Sequence, residues 1–141
     1  MSKILIKNGT VIDGSRGARF QADVLIENER IVKIGKIDEA ADRVIDATGK
    51  IVAPGFIDTH SHSDLKVLIE PFVEPKLRQG ITTEVLGQDG ISMAPLPKEY
   101  VSSWRKNLAG LDGDSDELGW DWETTDNYLK LIEERGCTPN E

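Results

Sequence analysis

The chain changes rhythm at Pro54-Gly55, and that change constrains its fold more than any other feature. Before it, short apolar and β-branched runs alternate with turn residues, the pattern of short β-strands. Residues 4–6 form one run, followed by Asn8-Gly9, a strong turn pair. Residues 10–13 lead to Gly14. Residues 22–27 and 30–35 flank Asn28-Glu29 and read as a hairpin, although Glu29 disfavours a positive φ. Residues 43–49 read as a further β segment ending in a turn glycine. After the change, Phe56 and Ile57 restart an apolar strand without alternation, which predicts burial on both faces, as in a parallel sheet.

A helical stretch over 65–80 follows, broken by Pro71 and Pro75, with Gly80 as its C-cap. The β-branched run 81–87 predicts the next strand, and residues 88–97 a loop. A helix is predicted over 98–110, with Tyr100, Val101, Trp104 and Leu108 on one side. The acidic run 112–117 lies in a predicted solvated loop. Residues 124–136 predict a helix N-capped by Thr124 and ended by Gly136. Antiparallel β therefore precedes Pro54, and a βα rhythm follows it. The predicted boundaries are 1–53 and 54–141.

His60 and His62 are the only histidines in the chain, placed one residue apart directly after the apolar strand, in Gly-Phe-Ile-Asp-Thr-His-Ser-His-Ser-Asp. Residues i and i+2 of a strand point to one face, so both imidazoles can aim at one point. Two neutral imidazoles suit zinc. Asp58 shares that face and can orient a ring as an outer partner. A bare His-x-His is most often a polar loop. Here it stands where barrel enzymes keep their sites, at the C-terminal end of a strand.

Composition narrows the function classes. A formal net charge of −8 argues against nucleic-acid binding, which needs a basic surface. No apolar run reaches membrane-spanning length, and the N-terminus lacks the apolar core of a secretory signal. The single cysteine, Cys137, provides no disulfide framework and reads as an ordinary surface or interface thiol. A cytoplasmic protein with no nucleic-acid or membrane partner is expected. Asp64 reads as a loop or helix-start residue that can also hydrogen-bond near the histidines. Glu84, inside a strand, needs a partner if buried and otherwise faces solvent. Trp104, Trp120 and Trp122 read as packing residues.

The stretch Val-Ile-Asp-Ala-Thr-Gly-Lys-Ile-Val-Ala-Pro-Gly-Phe-Ile-Asp-Thr-His-Ser-His-Ser-Asp resembles the opening of the amidohydrolase superfamily. There a small β-sandwich leads into a metal-dependent (β/α)8 barrel. Residues 79–96 and 121–136 are similar, more narrowly, to N-acyl-D-amino acid deacylases (D-aminoacylases), and the resemblance runs through essentially the whole chain in family order. It implies an α/β fold: the N-terminal part of a β-sandwich followed by the first strands and helices of the barrel. A complete barrel takes about 250 residues, so a chain of 141 is expected to be truncated or one piece of a split protein.

The resemblance also implies the site. His60 and His62 match the histidines of the first-strand metal motif. Many D-aminoacylases carry a metal-ligating cysteine in a Gly-Asn-Cys-Gly loop. The matching segment here is Gly87-Gln88-Asp89-Gly90, so Asp89 stands in the cysteine's place. A carboxylate can ligate zinc as a thiolate can, but it is a harder donor. Asp89 is thus the third candidate ligand, beside its reading as a turn aspartate. One or two divalent ions, zinc first, are the implied cofactor, and an N-acyl-D-amino acid is the implied substrate. The implied catalytic base, further histidines and substrate clamp belong to later strands and loops. By itself the chain is expected to be inactive and to self-associate or require a complementing chain. A non-catalytic fragment and a cyclic-amide hydrolase of the dihydroorotase or hydantoinase kind are the alternatives, and residues 82–92 favour the deacylases over the latter.

Overall fold

A computed structural model describes residues 2–140. The chain divides into two compact units, the first running to Pro54 and the second starting at Gly55.

The first unit is a single mixed sheet. Strands β1 (Lys3–Val11), β2 (Phe20–Glu27), β3 (Arg30–Gly35) and β4 (Arg43–Asp46) lie in the order β3-β2-β1-β4, and β5 (Ile51–Val52) also pairs with β1. β1–β2 and β2–β3 are antiparallel, and Asn28, at φ 49°, turns the β2–β3 hairpin. β4 and β5 run parallel to β1, pairing with its first and second halves respectively. The unit is therefore not the purely antiparallel arrangement expected from its short strands. Two parallel returns share one long central strand.

That strand runs straight through Asn8-Gly9, which is not a turn. Asn8 takes a left-handed φ of 62° and the register to β2 shifts between Ile6 and Gly9, so the pair makes a bulge. Tertiary bonds hold it there. Asp23 accepts the Asn8 N–H at 2.8 Å and the Ile37 N–H at 3.0 Å. Gly9 is required because a Cβ would meet Val52 Cγ2 at 2.4 Å. Leu5, Leu25 and Ile37 form the small buried cluster under the sheet, while Ile31, Val32, Val44 and Ile51 remain exposed.

In the second unit β6 (Phe56–Asp58) pairs in parallel with β7 (Ile81–Glu84). The crossover holds the short helices α1 (Lys66–Ile69) and α2 (Glu74–Leu77). Pro71 separates them. Pro75 does not break a helix, since it sits in the first turn of α2, where no N–H is needed. Asn140 lies beside β7 in a parallel bridge to Thr83, so three parallel segments adjoin there. Phe56 and Ile57 are 60% and 63% exposed, against the burial expected of them, because the small sheet has no layer over either side chain.

A turn over Gln88–Gly90 leads to α3 (Lys98–Asp112) and α4 (Thr125–Arg135). The Thr124 hydroxyl caps α4 by accepting the Asn127 N–H at 3.2 Å. Leu65, Leu68, Met93, Trp120, Trp122 and Ile132 belong to one buried cluster. The tryptophans pack as tilted pairs, with Trp104–Trp120 centroids 5.7 Å apart and Trp120–Trp122 centroids 5.3 Å apart. On α3, Val101 and Trp104 pack toward this cluster, but Tyr100 is exposed. Asp112 was expected in a solvated loop. It is instead buried as the last residue of α3, where its carboxylate accepts the Leu65 N–H at 3.1 Å. Half-buried Cys137 packs against the cluster and donates to the Pro139 carbonyl at 3.0 Å. No helix among the described residues is long and apolar enough to cross a membrane.

Candidate metal centre

The parallel pairing of β6 with β7 puts the loops that follow both strands at the same end of the sheet. His60 and His62 sit on the first loop, Asp89 on the second. One oxygen, Asp89 Oδ2, lies 3.0 Å from His60 Nε2 and 3.3 Å from His62 Nε2. The two rings are edge-on, 69° apart. The three candidate ligands named from the sequence are thus brought together, with their donor atoms within 4.8 Å of one another.

Local backbone geometry explains how Asp89 reaches the histidines. Gly87, Asp89 and Gly90 all have positive φ, at 71°, 58° and 72°. Aspartate is among the few side chains that tolerate the left-handed region. The tight turn aims its carboxylate back over β6.

The donor set fits a divalent ion. Two imidazole nitrogens and a carboxylate oxygen are zinc donors, and metal–ligand bonds of about 2.0–2.1 Å place neighbouring tetrahedral donors about 3.3 Å apart. The separations of 3.0 and 3.3 Å are of that size. His62 is the more enclosed histidine, and its Nδ1 is buried without a hydrogen-bond partner. His60 and Asp89 are more than half exposed, open to a ligand from solvent.

Asp58 does not orient a ring. Its Oδ1 accepts the backbone N–H of His60 at 3.2 Å, and its Oδ2 accepts Lys76 Nζ at 2.5 Å. The lysine, then the His60 N–H, hold the Asp58 carboxyl below its usual pKa. Asp64 lies in the turn just before α1, as expected, and also bonds near the histidines. It is buried, and its Oδ1 accepts the Gly87 N–H at 3.0 Å, which ties the two loops together. Burial raises its pKa. Burial also pushes Asp112 up to about 6, with the nearby Asp64 charge adding to the effect. Glu84 is fully buried and finds its partners in Ser61 and Lys76, at 2.5 and 3.3 Å.

Ser61, Lys76 and Asp112 were not singled out from the sequence. A signal existed for Lys76: two acids inside adjacent strands need a cation, and the crossover between them carries few.

The amidohydrolase family profile matches residues 43–136, and the chain belongs to that family. It is similar to N-acyl-D-glutamate deacylase of Alcaligenes xylosoxydans xylosoxydans, 55% identical over 95 residues, which cover 67% of this chain and 20% of the relative. Among solved structures it matches the N-acyl-D-glutamate deacylase of Bordetella bronchiseptica, in complex with zinc and a phosphonate inhibitor, with a TM-score of 0.82 and 35% identity. A D-aminoacylase with a binuclear metal centre matches with a TM-score of 0.81 and 35% identity. Both matches cover 97% of this chain and 28% of the solved one. The chain spans about a fifth of the length of the curated relatives it matches.

Proposed function

We propose that the chain forms the opening part of a zinc-dependent hydrolase acting on the amide bond of N-acyl-D-amino acids, with His60, His62 and Asp89 holding a metal. The observation that carries this reading is the convergence of both Nε2 atoms on Asp89 Oδ2. The deacylase names of the relatives support the substrate class. Such an ion, when bound, supplies Lewis-acid polarisation of an amide carbonyl and activation of water. The chain's own residues set the positions. His60 and His62 present imidazole nitrogens from the loop after β6, and Asp89 a carboxylate oxygen from the loop after β7. The His60 N–H on Asp58 and the Gly87 N–H on Asp64 hold the two loops.

A second reading is that the chain is non-catalytic until a complementing chain covers it. The exposure of Phe56 and Ile57 in β6, and of Ile31, Val44 and Ile51 in the first unit, favours it.

Elemental analysis of the purified chain, beside a His60→Ala/His62→Ala variant, tests the metal assignment. Near-stoichiometric zinc that disappears in the variant supports it; equal metal in both sinks it. Assay of the metal-loaded chain against N-acyl-D-amino acids then separates the two readings. Turnover supports the first, and metal without turnover the second.

A further inference from the structure

Behind the histidine loop lies a polar network of which the metal reading uses only Asp58. Lys76, on α2, sends its Nζ to Asp58 Oδ2 at 2.5 Å, Ser61 Oγ at 3.0 Å and Glu84 Oε2 at 3.3 Å. Ser61 stands between the two histidines. It accepts from Lys76 and donates to Glu84 Oε2 at 2.5 Å, with Ser63 Oγ 2.9 Å away. Asp58 ends β6 and Glu84 ends β7. The other Asp58 oxygen takes the His60 N–H, and Glu84 lies three residues before Gly87, which leads into the turn that carries Asp89.

We propose that Lys76 is a positioning residue for the candidate metal centre: its ammonium clamps the ends of β6 and β7 and so sets the spacing between the histidine pair and Asp89. The inference rests on the metal reading above. Stabilisation of the fold is a poor alternative explanation, because burying the Glu84 carboxylate, with Lys76 and Asp58 partly enclosed beside it, costs free energy that apolar packing would not. Glu84 Oε1 is buried without a partner, so the group is not arranged for its own satisfaction. Burial opposes the lysine's charge, but Asp58 and Glu84 outweigh it and keep Lys76 protonated above its ordinary range. Without the ammonium, two carboxylates would face one serine hydroxyl. Their repulsion would turn Asp58 toward solvent, release the His60 N–H and part the strand ends.

The test is zinc affinity of the full chain, by competition with a chromophoric chelator, with the visible spectrum of the cobalt-substituted form as a readout of coordination. Lys76→Met and the isosteric Glu84→Gln are compared with wild type and with Lys130→Met, which loses only a surface pair to Asp126. Circular dichroism follows folding. Outer partners of metal ligands are worth about 10- to 100-fold in metal affinity. A loss of that size with an altered cobalt spectrum is expected for folded Lys76→Met or Glu84→Gln, and none for Lys130→Met. Unchanged affinity and spectrum in both network variants overturns the proposal. So does zinc binding lost only in step with unfolding in both, which makes the network a structural prop. A wild-type chain that binds no zinc overturns the metal reading itself, and the positioning role with it.

Discussion

Asp64 Oδ1 accepts the backbone N–H of Gly87 at 3.0 Å, joining the loop after β6 to the loop after β7 across 23 residues of sequence. Gly87 opens the left-handed turn that presents Asp89, so this bond holds the third candidate ligand over the histidines. Asp64→Ala leaves the Gly87 N–H without its acceptor, which destabilises by about 1–3 kcal/mol where the donor stays dry. Zinc affinity is expected to fall with it. Asp64→Asn keeps an acceptor and is expected to lie close to wild type in both. Urea denaturation and zinc titration of the two variants check this.

The resemblance places Asp89 where many deacylases have a cysteine, and zinc accepts either donor. Asp89→Cys is expected to keep zinc and to give the cobalt form a thiolate charge-transfer band that the wild type lacks. Asp89→Ala is expected to lose at least about tenfold in affinity, since a first ligand should matter no less than an outer one. Equal affinity of Asp89→Ala and wild type would return Asp89 to the role of a turn residue.

Gly55 precedes β6 with no space for a side chain. A Cβ there would fall 2.7 Å from Thr82 Cβ and closer still to that residue's Oγ1. The obstruction includes an atom fixed to the backbone of the neighbouring segment, so rotation of the threonine cannot relieve it. Gly55→Ala is expected to destabilise the second unit by about 1–3 kcal/mol through overpacking. The urea midpoint measures it.

Asp23 governs acid stability in the first unit. Its carboxylate accepts the N–H groups of Asn8 and Ile37, which depress its pKa below 3.8 in the folded chain. A depressed carboxylate contributes stability that is present above its unfolded pKa and is lost as pH falls through the folded value. The thermal midpoint is expected to drop below about pH 4, and to drop less in Asp23→Asn. Asp23→Ala strands two donors and is expected to destabilise at neutral pH as well, by about 1–3 kcal/mol for each donor kept from water. Calorimetry from pH 2 to 7 on the three proteins distinguishes these effects.

Features that depend on a few neighbouring residues were legible in the sequence. The Asn28 hairpin, the Thr124 cap and the glycine after 135 follow from local φ preferences and capping. The His60–His62 pair was legible as a motif, but the two-residue period of a strand does not account for its convergence, because β6 ends at Asp58 and both histidines lie on the loop beyond it. Asn8-Gly9 shows where such reading fails. The pair has the local chemistry of a turn, yet Asp23 and Val52, distant in sequence, make it a bulge inside β1. The parallel returns of β4 and β5, the burial of Asp112 under Leu65 and the meeting of Lys76 with Asp58 and Glu84 were decided only in three dimensions. Each depends on which segments close onto one another across long loops. Backbone groups and carboxylates removed from water must then take whatever partner that closure brings.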